Sequence, residues 1–468
     1  MNFNRPTASL RPTRSARPTR GGPPAGPDLS ELHGYQRTGV LWLEGKQRAL
    51  LADAMGLGKT AQALRWLRPR ARAIVVAPAS VLGVWEQQAE RWRPDLRVDV
   101  YGAELRVPDE GELVGISWDS LPDPYPPIPP SKTRRMILEP TDEVDVVFDE
   151  LHFGKNPEAM RSILAGFLAA QCGRAIGLTG TPMEGGPEDL WGVLLLLGLT
   201  ETVFPGGWDE LFKLCGGKRR YARDKKTKRP RAIGYSWGQV SPEVKERLSA
   251  VMLRRTPADP EVEIDLPAVA RFDVPVRAPR DLKKYLDGVV KDAWHGIGPG
   301  DLPPFELVAE ARKALAKSRT SAALEWVESA CLEHPLLVFS AHRAPVFAVG
   351  DMKLPNGYKA ETLTGDVTDP EERTRIVERF QSGETRVLAM TIKAGGAGLN
   401  LTAAGAMLFV DLAYTPSANL QAEARAARQG QERRRVLVYR MVSQHPLDVR
   451  IHEILCEKSR VIEATIGG

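Results

Sequence analysis

The stretch LLADAMGLGKTAQAL, Leu50 to Leu64, carries residues that can hold a phosphate. A strand-like run leads into Met55, Gly56, Leu57, Gly58, Lys59 and Thr60, and a helical pattern follows. Backbone amides at a helix N-terminus aim partial positive charge at an anion, and glycine allows the close approach. Lys59 would reach the β- and γ-phosphates of a nucleotide, and the Thr60 hydroxyl would coordinate Mg2+. The general phosphate-loop pattern asks for glycine six residues before the lysine, and Asp53 stands there instead.

A second element supplies acid. The run VDVVFDELH ends a hydrophobic strand in Asp149 and Glu150, and ligands of open α/β folds sit at the carboxyl ends of strands. Asp149 is placed to hold the metal, directly or through water, and Glu150 to orient or deprotonate an attacking water. Each motif alone has a bland reading, a glycine-rich turn or a solvated strand cap. Together they read as a hydrolytic nucleotide site.

The elements that must position these residues follow from periodicity. RALLAD, AIVVAP, ELVGISW, DVVFDE and RAIGLTG read as strands buried on both faces, separated by helices such as VLGVWEQQAERW with Trp85, Ala89 and Trp92 on one stripe. After about Arg255 the pattern fades, then resumes with PLLVFSAH, RVLAMT, AMLFVDL and RRVLVYRMV as strands and DPEERTRIVERFQSG as a helix with Ile376, Val377 and Phe380 inward. The expected fold class is α/β: two RecA-like parallel-sheet lobes with an ATP cleft between them. The expected division is a disordered basic arm over 1–28, the nucleotide-binding lobe over 29–255 and the second lobe over 256–468. The proline-rich Leu121 to Pro140 reads as a surface loop.

The chain of 468 residues carries a net charge of only +5, but unevenly. Five arginines, Arg5, Arg11, Arg14, Arg17 and Arg20, precede the first acid, Asp28, and Lys218 to Arg231 holds nine basic residues against Asp224. Two such clusters point to a polyanionic partner, with solvated surface as the alternative. The four cysteines, Cys172, Cys215, Cys331 and Cys456, form no Cys-x-x-Cys pair, so a disulfide framework or structural zinc is not expected. With no apolar run of membrane-spanning length and no signal-peptide core, a soluble intracellular protein is expected.

Asp53-Ala54-Met55-Gly56-Leu57-Gly58-Lys59-Thr60 closely resembles the first box of the Swi/Snf-type ATPases of helicase superfamily two, where aspartate replaces the Walker glycine. Further boxes follow in family order: LHGYQRTGVLWL, VVAPASVLGVWEQQAERW, GISWDSL, DELHFGKN, GLTGTPMEGGPEDLW, VMLRRTP, VFSAHRA, TLTGDVTDPEERTRIVERF, TIKAGGAGLNLTAAG and QAEARAARQGQ. The resemblance implies ATP and Mg2+ as cofactors, Gln36 reading the adenine edge, and Thr179, Gly180 and Thr181 coupling hydrolysis to lobe movement. It also implies Gly398 and Gln421 near the nucleotide, and Arg425 and Arg428 as arginines presented to the γ-phosphate. Gln421, Arg425 and Arg428 are spaced to share one face of a helix. Ser80, Ser117, His342, Arg343, Thr364, Thr391 and Lys393 follow strand ends facing the expected groove and would grip DNA phosphates. Ala54 departs from the usual Glu, and Ala424 and Ala427 from the last box; retained ATPase activity is expected.

The details resemble the compact branch of HARP-like annealing helicases and their bacterial and phage relatives. The implied function is a DNA-stimulated ATPase that translocates on double-stranded or branched DNA, as a monomer, in the cytoplasm or nucleoid of a bacterium or phage-infected cell. Protein partners would use the basic N-terminal arm. The alternatives are a strand-separating DNA or RNA helicase, or a slow ATP-switched nucleic-acid-binding assembly factor.

Overall fold

The structure is a computed structural model and describes residues 29–100, 106–121, 141–223, 230–264, 266–294, 305–395 and 399–467. The N-terminal arm, the segment 122–140 and Gly398 lie outside the described residues, as does 224–229 of the basic run. In chain order the strands are β1 (Arg48–Leu51), β2 (Arg72–Ala77), β3 (Arg97–Asp99), β4 (Glu112–Ser117), β5 (Thr141–Asp149), β6 (Cys172–Leu178), β7 (Lys218–Arg223), β8 (Pro230–Ser236), β9 (Met252–Leu253), β10 (Ala268–Val276), β11 (Leu336–Ser340), β12 (Ala360–Leu363), β13 (Val387–Thr391), β14 (Ala406–Phe409) and β15 (Arg435–Ser443).

Two parallel sheets carry the molecule. The first runs β3-β4-β2-β5-β6-β1-β9 and the second β10-β15-β14-β11-β13-β12. Alternation explains why the central strands read as unbroken apolar runs. Along β5, Val144, Val146 and Phe148 enter the core on one face of the sheet, while Val147 enters the core on the other. Helices cover both faces, as parallel sheets require. Helix Leu82–Trp92 buries Trp85, Ala89 and Trp92, and helix Pro370–Gln381 turns Ile376 and Phe380 inward, as their spacing predicts.

Register decides where the chemistry lies. Leu178 at the end of β6 is paired with Leu51 of β1 on one side and Asp149 of β5 on the other. The phosphate loop, the acidic pair and the Thr179-Gly180-Thr181 turn therefore leave the sheet at one level, on one edge.

The structure adds what periodicity missed. The faded stretch contains β10, an edge strand that pairs in parallel with β15, and helices Arg280–Trp294 and Phe305–Ala330. On either side of 224–229, Lys218–Arg223 and Pro230–Ser236 pair antiparallel as β7 and β8. The residue-255 division falls between β9, in the first sheet, and β10, in the second. The last helix, Pro446–Ile466, leaves the second lobe and buries Ile466 in the core of the first. Cys172, Cys215, Cys331 and Cys456 are free thiols, and among the described residues no helix is long and apolar enough to cross a membrane.

Candidate active site

A cleft of about 570 Å³ is lined by Gln36, Met55, Gly56, Gly58, Lys59, Thr60, Asp149 and Glu150 from the first lobe and by Asn400, Arg425 and Arg428 from the second. The sequence-predicted catalytic set thus converges from both sheets.

Gly58 caps helix Lys59–Trp66 with φ 71°, a left-handed conformation that disfavours a side chain. A Cβ there would also sit 2.3 Å from Gln36 Nε2. The Lys59 ammonium donates to the Asp53 carbonyl at 2.7 Å and the Ala54 carbonyl at 3.1 Å. Loss of hydration holds its pKa below the ordinary value, a shift that the charges of Glu150, Asp53 and Asp149 oppose.

The structure explains the missing Walker glycine. The Asp53 carboxylate is fully buried and turned away from the cleft, where it accepts from Arg255 Nε at 2.9 Å, Arg255 Nη2 at 2.6 Å and Gln62 Nε2 at 3.0 Å. Arg255, 3% exposed, comes from the LRRTP box beyond β9 and so ties the phosphate loop to a segment some two hundred residues away. The resemblance to the first Swi/Snf box implies Asp53 and Leu57 as nucleotide-binding residues. Neither side chain lines the cleft: Leu57 packs with Tyr35 and Val262, and its carbonyl accepts from Tyr35 and Gln36. Asp53→Gly, which restores the general phosphate-loop sequence, is expected to destabilise the fold by about 3–5 kcal/mol, because Arg255 is left charged, buried and without its carboxylate. Urea unfolding of the two proteins checks this; equal stability would refute it.

Asp149 is set by two bonds. Trp85 Nε1 donates to Oδ2 at 2.8 Å and the Glu150 amide to Oδ1 at 2.9 Å. Burial and the neighbouring Glu150 charge push its pKa up to about 6. Glu150 has φ 50°, a strained conformation for a side-chain-bearing residue that costs on the order of 1–3 kcal/mol. Burial raises its pKa, but His152, Lys59 and Arg425 outweigh that, so the carboxyl stays below its usual range and is ionised at neutral pH.

His152 lies in the DELHFGKN box, whose residue pattern signals no role for it. Its Nδ1 lies 3.3 Å from Glu150 Oε2 and 3.2 Å from Thr179 Oγ1. Thr179 Oγ1 accepts from the Thr181 amide at 3.0 Å, and Gln421 Nε2 of the second lobe donates to Thr181 Oγ1 at 3.2 Å. A continuous polar chain thus runs from Glu150 across the lobe boundary. Gly180 lies between Thr179 and Thr181, and a Cβ there would meet Met55 Cγ at 2.8 Å, so a side chain would force the Met55 side chain of the phosphate loop to shift.

The helix that carries Gln421 ends at Glu423, not beyond Arg428. Arg425 and Arg428 therefore do not share a helical face with Gln421, as their spacing implied. They lie in consecutive turns, because the Arg425 carbonyl accepts from the Leu401 amide at 3.0 Å and the buried Glu423 is held by Arg271 and Arg440. Arg425 still reaches the cleft. Burial lowers its pKa to about 10, with the Glu150 charge opposing, so it remains a cation at neutral pH. Arg428 Nη1 donates to the Leu399 carbonyl at 3.1 Å.

Gln36 lines the cleft, but its Oε1 accepts from the His33 amide at 3.0 Å and its Nε2 donates to the Leu57 carbonyl at 3.2 Å and the Tyr35 hydroxyl at 3.3 Å, so both amide hydrogens are engaged within the first lobe. The expected DNA-contacting residues divide. Ser80, Arg343 and Lys393 are exposed. Ser117 and Thr391 are half-buried, with Ser117 Oγ 2.7 Å from Ser120 Oγ. Thr364 is 3% exposed and bonds Asp366, which pairs with Arg343, while His342 Nδ1 lies 2.8 Å from Asp411. Thr364 and His342 position their neighbours. Ser80, Arg343 and Lys393 present a surface at the same sheet edges.

A phosphate loop and an acidic pair on one parallel sheet, completed by arginines from a second, define a two-lobed enzyme of the helicase type. The chain belongs to the SNF2-related family: the SNF2-related domain matches residues 35–270 and the helicase conserved C-terminal domain residues 323–430. That family is the Swi/Snf type of helicase superfamily two. Similar proteins include human DNA annealing helicase and endonuclease ZRANB3, 27% identical over 460 residues, 94% of this chain and 41% of that protein. Putative ATP-dependent helicase/translocase YwqA of Bacillus subtilis is 26% identical over 486 residues, 93% of this chain and 49% of that protein. The chain spans less than half the length of these curated relatives. The Sulfolobus solfataricus SWI2/SNF2 ATPase core in complex with dsDNA matches at 21% identity and a TM-score of 0.42, covering 94% of this chain and 93% of that one.

Proposed function

We propose that the chain hydrolyses ATP to drive repeated closure of its lobes along double-stranded DNA, remodelling DNA or DNA-protein complexes. The observation that carries this reading is the single cleft in which Lys59, Asp149 and Glu150 of one lobe face Arg425 and Arg428 of the other. Lys59 and the helix amides hold the phosphates, and Glu150 orients and deprotonates the attacking water. The arginines complete the charge pattern only when the lobes meet, so chemistry requires closure. The chain through His152, Thr179, Thr181 and Gln421 supports a direct link between the base and that closure.

The Asp149 carboxylate and Thr60 hydroxyl line the same cleft and are hard oxygen donors of the kind Mg2+ takes, and each Asp149 oxygen keeps a lone pair beyond the bond it accepts. Bound there with the nucleotide, Mg2+ would neutralise phosphate charge. The name of the human relative, a DNA annealing helicase, supports DNA as the track, and that of the Bacillus subtilis relative, a putative ATP-dependent helicase/translocase, supports movement driven by ATP.

ATP hydrolysis measured with no nucleic acid, duplex DNA, forked DNA, single-stranded DNA and RNA at fixed salt tests the reading. Strong stimulation by duplex or forked DNA is expected. Stimulation by RNA or single strands alone would replace the translocase with a strand-separating helicase.

A further inference from the structure

A second polar contact crosses the lobe boundary beside the bond between Thr181 and Gln421. Ser417 Oγ of the second lobe donates to Glu184 Oε1 of the first at 3.1 Å. Ser417 is 2% exposed, and the Glu184 side chain is 15% exposed. A hydrogen bond to an ionised group is stronger than a neutral one, and more so away from water. Glu184 is built to receive it. Its other oxygen, Oε2, pairs with Lys155 Nζ, and the Asp189 carboxylate fixes its backbone by accepting from the Glu184 amide at 2.9 Å and the Gly185 amide at 2.6 Å. Burial raises the Glu184 pKa, but the charges of His152 and Lys155 and the bond from Ser417 outweigh that, so the group is ionised at neutral pH. Lys155 belongs to the DELHFGKN box that carries Glu150 and His152, and Glu184 to the GLTGTPMEGGPEDLW box that carries Thr181. Their pairing stitches the loop of the base to the coupling turn within the first lobe.

In the second lobe, Ser417 and Gln421 stand four residues apart on the helix Pro416–Glu423, a spacing that puts both on one face. That face therefore meets the first lobe at two points one turn apart, Ser417 at Glu184 and Gln421 at Thr181. The last residue of the helix, Glu423, is held by Arg271 and Arg440 of β10 and β15. Arg425 follows two residues on. A short helix fixed at two points along one face resists both sliding and rolling, so the contact sets where Arg425 stands.

We propose that Glu184 and Ser417 are positioning residues for hydrolysis: with Thr181 and Gln421 they seat the helix Pro416–Glu423 on the first lobe and so fix Arg425 over the γ-phosphate. This rests on the reading of Arg425 above and deepens it, by naming the pair that decides how closely the lobes must meet before chemistry occurs. Neither residue lines the nucleotide cleft. Both act through Arg425.

The test is ATP hydrolysis by the full chain at saturating duplex DNA, read in single turnovers for slow variants, with ADP binding measured by calorimetry. The variants are Ser417→Ala, Glu184→Ala, Glu184→Gln, the double alanine Ser417→Ala/Glu184→Ala, Arg425→Ala and Ser417→Ala/Arg425→Ala. Each single alanine at 417 or 184 is expected to lower kcat about 10- to 100-fold, the contribution of a hydrogen bond to a charged group, with KM for ATP and ADP affinity at wild-type level. The double alanine should lose no more than the larger single loss, because both changes remove one bond. Glu184→Gln keeps an acceptor for the hydroxyl and should fall less than Glu184→Ala. In the Arg425→Ala background Ser417→Ala should cost nothing further, whereas a role elsewhere in the fold would add its loss in both backgrounds. Wild-type kcat in Ser417→Ala, additive losses in either double variant, or equal losses in Glu184→Gln and Glu184→Ala would overturn the proposal, while a disabled Arg425→Ala would leave the two-lobed reading standing. A kcat near wild type in Arg425→Ala would overturn that reading instead, and the proposal with it.

Discussion

Arg425→Ala is expected to lower kcat about 10³- to 10⁵-fold, the range lost when an arginine that neutralises a transferring phosphoryl group is removed, with nucleotide binding largely preserved. Arg425 is 9% exposed and lines the cleft beside Gly430 and Asn400, and its charge is felt by Glu150 across the lobe boundary. Its pKa, lowered to about 10 by burial, leaves it a cation at neutral pH without a full shell of water. A dehydrated cation interacts strongly with charge that develops late in the reaction. The effect should therefore fall on kcat. Lysine should not rescue, because an ammonium lacks the planar fork of donors. Arg428→Ala should lose less, since one of its donors is committed to the Leu399 carbonyl. Steady-state ATPase with saturating duplex DNA, alongside nucleotide binding by calorimetry, separates the two quantities. A kcat near wild type would mean that the lobes do not meet over the γ-phosphate.

Glu150→Gln is expected to cut hydrolysis about 10²- to 10⁴-fold, the usual contribution of a positioned general base, and to bind nucleotide at least as tightly as wild type. The carboxylate stands among three groups that favour its charge, His152, Lys59 and Arg425. Glutamine keeps the volume but removes the negative charge, so those groups face the phosphates unopposed. The strained backbone at Glu150 supports this reading, because a left-handed glutamate persists only where the surroundings demand that side chain in that place. Single-turnover hydrolysis reads the loss, and nucleotide binding shows that the cleft is intact. A glutamine variant that hydrolyses ATP normally would move the base elsewhere.

Much of the site was legible because its parts are local. Gly56, Gly58, Lys59 and Thr60 form one turn between a strand and a helix, and Asp149 and Glu150 end one strand, so pattern and chemistry coincide within a few residues. What stayed hidden depends on contacts distant in sequence. His152 looked like filler in its motif until Thr179 was seen beside it. The spacing of Gln421, Arg425 and Arg428 implied one helix, yet a backbone bond to Leu401 turns the chain after Glu423. Thr364 looked like a surface hydroxyl and is buried against Asp366.

The sequence by itself determined the kind of molecule. Apolar strands buried on both faces dictate parallel sheets, and a phosphate loop followed by an acid-tipped strand dictates a nucleotide edge. That information lies in side-chain type and near-neighbour spacing, which the unfolded chain already carries. Only the tertiary structure decided what Asp53 does. The carboxylate that breaks the phosphate-loop pattern does not line the cleft; it neutralises Arg255, two hundred residues on, and so fastens the loop to the segment that leaves the adjoining edge strand β9. A buried charge must find its counter-charge wherever the fold brings one, and no local pattern can say where that will be.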